Sequence, residues 1–177
     1  MTGAEAALAL FDGGAPVEPR EILGRWRGST HPTGHPLDGL LEAYGWYGKD
    51  FIDVETVHPL LFVDRFGLPR PVDPAYAPLW LLRRYPGLAR TRAARAAFAG
   101  VRPLRYTRRA GGRLRPVEHR GVVTAAMIYD ALPIVDVFRS LDGDTLLGLT
   151  DVRGFPQPFF FLLERDLDRE RPGQPSR

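Results

Sequence analysis

Between Ile134 and Arg139 two ionisable residues alternate with apolar ones. In an extended chain Ile134, Asp136 and Phe138 share one face, and Val135, Val137 and Arg139 share the other. A buried charge without a partner is too costly to keep, so each group is either ion-paired or a polar contact in a pocket. The structural pairs on offer are Asp136 with Arg120 and Arg139 with Asp130. In the functional reading Asp136 is a carboxyl in an apolar barrel, its pKa is raised, and it serves as a general acid or base. Tyr129 and His119 are the other candidates for that role.

A second set of residues suits holding a ligand. Trp46, Tyr47, Phe62, Met127, Phe138 and Phe160 are spread over several expected strands, and Trp26 stands between the glycines of Gly24-Arg25-Trp26-Arg27-Gly28. Simple core packing accounts for such residues too, and Trp26 reads first as a packing plug. His35 and His58 each precede a proline, which holds them extended and able to present an imidazole at a pocket mouth. His31 and His35 lie four residues apart, but Pro32, Gly34 and Pro36 exclude the helix that would put them on one face. No metal is therefore expected, and no cofactor is implied. The absence of cysteine excludes a disulfide scaffold, a thiol nucleophile and zinc held through sulfur.

The elements that must position these groups are mostly short strands. Ile22 to Gly28 reads as one, its glycines letting backbone pass beneath a large side chain such as Trp26. Trp46 to Phe51 resumes an extended pattern, and Val57 to Val63 is an apolar run whose Pro59 belongs at an edge. Arg105 to Arg109 and Arg113 to His119 read as a hairpin about Gly111-Gly112. Gly121 to Tyr129, Ile134 to Leu141 and Thr145 to Asp151 follow, the last two joined through Asp142-Gly143, a pair suited to positive φ. Pro158 to Arg165 ends the series with Phe159-Phe160-Phe161-Leu162-Leu163, apolar on both faces. Short helices are expected over Ala4 to Leu10, Leu37 to Tyr44, and Arg92 to Ala99 behind a Thr91 cap, while five prolines from Leu68 to Pro86 leave a wrapped loop around Trp80 and Leu81. Eight or nine strands in hairpin order give a mainly β fold class, an antiparallel barrel or strongly curved meander with two or three short helices.

One domain is expected over residues 20–165, made of a half at 20–80, a connector at 81–102 and a half at 103–165. A helix and linker (1–19) precede it and a disordered tail (166–177) follows. The net charge of +3 conceals a polarity, because residues 83–120 hold twelve arginines against Glu118, net +11, and the remainder is −8. The first reading of that segment is a solvated face; an anionic headgroup, lipid surface or acidic partner comes second, and nucleic acid, with no recognition motif in view, last. Of the 24 basic residues only Lys49 is a lysine, a bias that Arg-rich codon usage explains as readily as selection for guanidinium chemistry. No apolar run approaches the roughly 18 residues of a membrane helix, and no basic leader opens the chain. A cytoplasmic, soluble protein is expected, with peripheral membrane contact left open.

Gly24-Arg25-Trp26-Arg27-Gly28 spells G-x-W-x-G and resembles the signature of the GXWXG domain family, found in bacteria and eukaryotes. Pro32-Thr33-Gly34-His35-Pro36-Leu37-Asp38-Gly39, Trp46-Tyr47-Gly48-Lys49 and His58-Pro59-Leu60-Leu61-Phe62 resemble the same family. Arg120-Gly121-Val122 through Tyr129-Asp130, Asp136 to Arg139, Asp144 to Gly148 and Phe159 to Phe161 are similar to the domain of unknown function that usually follows it. The resemblance covers about residues 20–165. It implies a lipocalin-like β module suspected of holding apolar ligands, and it implies no reaction.

These readings converge on a barrel that binds a hydrophobic or amphipathic small molecule, lipid-like or isoprenoid-like, with rim arginines such as Arg120 available to an acidic headgroup. The alternative is a small enzyme that cyclises or isomerises a polyene, isoprenoid or polyketide by templating and acid catalysis. A third class is a module that acts only through its basic surface.

Overall fold

The computed structural model describes residues 2–167. Beyond Asp166 and Leu167, the expected disordered tail lies outside the described residues. The β-branched and aromatic segments form nine strands: β1 (Gly24–Thr30), β2 (Trp46–Phe51), β3 (Val57–Val63), β4 (Pro69–Pro71), β5 (Gly112–His119), β6 (Val122–Tyr129), β7 (Ile134–Asp142), β8 (Thr145–Val152) and β9 (Phe159–Arg165). All pairings are antiparallel in the order 2-1-9-8-7-6-5-3-4, and β2 also pairs with β3. That extra pairing closes an eight-stranded barrel, with β4 a short flap on β3.

Two seams join the early strands to the late ones. Between β1 and β9 the register runs from Trp26↔Arg165 to Thr30↔Phe161. Between β3 and β5 it is the single pair Val57↔Gly112, extended by Gly111 N–H donating to Val57 O at 2.9 Å and Leu114 N–H to Val54 O at 2.8 Å. Pro59 falls just past that pair and before the β4 pairing at Leu61, where no strand asks for its missing N–H.

Strand alternation then sorts the side chains. Phe51, Leu114, Met127, Phe138, Leu146, Phe161 and Leu163 fill the interior with Trp26. Ala126, Val137, Leu147, Leu149 and Phe160 point outward, yet they too are buried, because helix α1 (Gly3–Gly13) lays Ala7 and Phe11 over them. This is why β9 is apolar on both faces. Thr2 starts α1 with a capping box closed by Glu5.

Four more short helices form among the described residues: α2 (Leu40–Ala43), α3 (Leu79–Arg84), α4 (Pro86–Ala89) and α5 (Arg92–Val101). The stretch expected as a loop around Trp80 therefore holds α3 and α4, since its prolines sit at helix starts, where the missing N–H costs nothing. Helix α2 is shorter than the Leu37 to Tyr44 spacing predicts because Gly39, at φ 70°, breaks the backbone before it. The expected hairpin from Arg105 to His119 does not form: Pro103 puts Arg102–Arg105 in a 3-10 turn, Tyr106 bridges Val72, and the hairpin is β5 with β6. The β7–β8 hairpin turns at Asp142-Gly143 without positive φ at Gly143.

Two interior rings lie flat across neighbouring strands over glycines. A Cβ on Gly28 would stand 2.1 Å from the Trp46 indole, and one on Gly148 would stand 2.2 Å from the Phe161 ring. The side chain that Gly28 seats is thus Trp46, not Trp26. Gly28→Ala is expected to cost about 2 kcal/mol by overpacking and to lower Tm by roughly 4–8 °C. Gly143→Ala, with nothing within 4 Å of the added methyl, should leave Tm nearly unchanged in the same calorimetric comparison.

Candidate functional site

Lys49 reaches the barrel interior through an irregularity in β2. Strict alternation would put Trp46 and Lys49 on opposite faces, but the β2–β3 register shifts on both sides of Gly48 and both side chains point inward. Gly48 has φ 145°, and a Cβ there would lie 2.0 Å from the Trp26 carbonyl oxygen, so no other residue fits this crossing. The sequence reasoning missed Lys49 because a bulge breaks the period of two; its being the only lysine was the signal that could have found it.

The Lys49 ammonium lies 2.8 Å from Asp136 Oδ2, with side-chain exposures of 3% and 1%. It also donates to the Pro59 carbonyl at 3.3 Å and to the Tyr129 hydroxyl at 3.4 Å. Two hydrogen bonds and one ion-pair contact thus surround the ammonium. The Phe161 ring centroid is 4.9 Å away, and the Trp46 and Tyr129 rings are 5.8 and 5.6 Å away, so aromatic faces box the cation. Burial, and then the Asp136 charge, push the Tyr129 phenol well above its ordinary value, so it stays protonated.

This cluster lines an interior cavity of about 110 Å³ at one end of the barrel, otherwise walled by Leu60, Ile134, Val152 and Phe159 and roofed by Leu40, Leu41, Leu79 and Leu82. Next to it lies an apolar chamber of about 490 Å³ beneath α2 to α5, which shares Leu40, Leu41, Leu60, Ala77 and Leu82 with the first. Two buried polar atoms on the inner cavity's lining residues, Asp136 Oδ1 and Trp46 Nε1, have no hydrogen-bond partner among the described residues. Asp136 Oδ2 touches the ammonium at ion-pair distance without hydrogen-bond alignment.

The other singled-out residues divide by position. Phe62 lines the larger chamber. Met127, Phe138 and Trp26 are fully buried in the packed part of the interior, Phe138 edge-on to Phe51 at 5.6 Å and Trp26 donating its Nε1 proton to Ile22 O at 2.9 Å. His35 is buried against Phe155 and Phe159, and its Nδ1 accepts the Leu37 N–H. His58 lines an open groove outside the barrel with Arg65 and Tyr106. Tyr47 bonds Asp166 on the outer surface, His119 and Arg120 line a separate groove near Leu8, and Phe160 is under α1. These last four are not brought to the cavity, because strand phase turns Tyr47 and Phe160 outward and His119 and Arg120 sit at the β5–β6 turn.

The expected ion pairs are also re-sorted. Asp136 pairs with Lys49; Arg120 forks onto Asp12 at 2.7 Å, and Asp130 takes Arg113. Arg139 is buried under α1 with its guanidinium 5.4 Å from the Phe11 ring. Among the described residues no three His, Cys, Asp or Glu side chains converge to hold a metal, and no helix is long and apolar enough to cross a membrane.

The family described as GXWXG protein matches residues 9–67, which hold the Trp26 signature and Trp46, and the domain of unknown function DUF4334 matches residues 110–165. A crystal structure of a protein from Thermomonospora curvata is 33% identical, covering 92% of this chain and 86% of that one with a TM-score of 0.67. The chain belongs to the GXWXG family. No curated protein matches it. In this GXWXG barrel the first signature glycine has φ 118°, the tryptophan lies 4.2 Å beneath the Arg165 guanidinium, and the second glycine seats the Trp46 ring.

Two outcomes follow. Lys49→Met or Asp136→Leu alone strands a buried charge and should destabilise by about 3–5 kcal/mol, while the double variant recovers most of the loss in denaturant unfolding. Burial holds the His35 imidazole below its ordinary 6.5, so its folded form prefers to stay neutral. Its contribution is therefore complete above pH 6.5 and lost as pH falls below that value, and His35→Phe should flatten the decline in stability measured between neutral and mildly acidic buffer.

Proposed function

We propose that the barrel binds one small hydrophobic or amphipathic molecule, lipid-like or isoprenoid-like, with its apolar part in the chamber under the helices. Its polar end is a neutral oxygen function: a hydroxyl can donate to Asp136 Oδ1 and accept from Trp46 Nε1, and a carbonyl can accept from Trp46 Nε1 and the Tyr129 hydroxyl. The observation that carries this reading is the pair of unpartnered buried atoms, one acceptor and one donor, on residues that line a cavity whose other polar side chains are Lys49, Tyr129 and Thr150 and whose remaining walls are apolar. Asp136 already neutralises Lys49, so the interior offers no surplus positive charge to hold a carboxylate. The larger chamber's volume of about 490 Å³ falls in the ordinary range for small-molecule sites.

A second reading, proton-transfer isomerisation or cyclisation of such a molecule, is favoured by the protonated Tyr129 phenol beside Asp136. Under it, Tyr129→Phe removes turnover and leaves the thermal transition in place.

Native mass spectrometry of the purified protein should show an apolar compound that solvent extraction releases. Long-chain alcohols and aldehydes should raise Tm more than the matching carboxylates, and Trp46→Phe should weaken alcohol binding by roughly fivefold for one lost hydrogen bond. Leu82→Trp, at the passage between the two spaces, should block uptake. An empty protein whose Tm none of these compounds moves would overturn the reading.

A further inference from the structure

The helical cover of the chamber carries charge unlike the rest of the chain. Residues 74–109 hold nine arginines and no acid. None of the nine forms an ion pair among the described residues, whereas Arg113, Arg115 and Arg120 on the barrel wall are all paired, with Asp130, Glu55 and Asp12. Arg90 and Arg102 donate to backbone carbonyls of the α2 region, which leaves their charge uncompensated. The +11 of the sequence therefore splits into a balanced part on β5 and its turn and an unbalanced part on the cover.

The same cover exposes apolar side chains. Trp80 is 70% and Leu104 83% exposed, and Tyr76, Tyr85, Leu88 and Val101 are about half exposed. Tyr76, Leu88 and Val101, together with Arg105, also line the larger chamber, so the exposed apolar set stands at its mouth. Helix α3 turns Leu79, Leu81 and Leu82 to the cavities and leaves Trp80 outward.

A second copy of the chain would oppose like charge to like charge. Nucleic acid could stack on Trp80, Tyr76 and Tyr85, but it leaves the equally exposed aliphatic tips of Leu104, Leu88 and Val101 unused, since these cannot stack on bases. A bilayer with anionic headgroups accepts every component, with arginines at the phosphates, Trp80 and Tyr85 at the interface and leucines among the acyl chains. We propose that this helical face docks on anionic phospholipid membrane with the chamber mouth toward the lipid. Docking does not need the chamber to be occupied, so it can fail while ligand binding stands, and the reverse.

The test uses the full chain with vesicles of phosphatidylcholine alone or mixed with phosphatidylglycerol. Cosedimentation should require the anionic lipid and fall steeply with salt. Trp26 and Trp46 are buried, so quenching by brominated acyl chains should report Trp80 and vanish in Trp80→Phe. Substituting Arg83 and Arg84 by Gln should lower partitioning by about fivefold per arginine, and Leu104→Glu should lower it further, with Tm unchanged in each. Absence of binding to anionic vesicles at low salt would overturn the proposal. So would binding without Trp80 quenching, or tight binding to a single-stranded oligonucleotide by a protein that ignores vesicles.

Discussion

Lys49 on β2 and Asp136 on β7 stand four strands apart in either direction around an eight-stranded ring, so their 2.8 Å contact spans the barrel from wall to opposite wall. Removing two charges from water is expensive, and an ion pair recovers that cost only where geometry is good and the remaining donors are satisfied. Here the Pro59 and Tyr129 oxygens accept two of the ammonium's hydrogen bonds, and three aromatic faces surround it. The interior is arranged around this crossbar. Below it Phe51, Phe138 and Trp26 pack solid; above it space remains, with polar atoms still to be satisfied.

Strand β7 shows what the rest of the fold does to permit this. It carries an ionisable group on each face, Asp136 inward and Arg139 outward, and both are buried. The outward one is tolerable because α1 brings Phe11 over its guanidinium and Asp12 close enough to oppose the effect of burial, which alone would lower the Arg139 pKa further. Helix α1 is thus as much a part of the barrel wall as the strands are, and a Cβ at Gly14, after its end, would stand 2.7 Å from the Arg139 Cβ.

Much of this was legible in the residues. The alternation from Ile134 to Arg139 put Asp136 and Arg139 on opposite faces of one strand, and the hairpin order of the late strands implied a closed or curved antiparallel sheet. Lys49 was not legible by phase, because the register shift at Gly48 is a property of how β2 crosses β1 and β3, and a local pattern cannot show it. The partner of Asp136 was missed for the same reason: the acid was visible, its base was on a strand whose period of two is broken at Gly48. Phe160 looked like a cavity residue because nothing in β9 says that a helix from the other end of the chain covers its outer face. The run of arginines was visible as a number, but only tertiary pairing separates the compensated from the uncompensated.

The two seams have a consequence for the unit of folding. The GXWXG match contains β1 to β3 and the DUF4334 match contains β5 to β9, so each matched segment by itself is an open sheet with two bare edges. Each also holds half of the crossbar, which in isolation is a lone charge facing an apolar surface. Neither segment closes a barrel by itself: the boundary between two families in sequence runs through the middle of one closed sheet, and the two matched segments are complementary parts of a single wall.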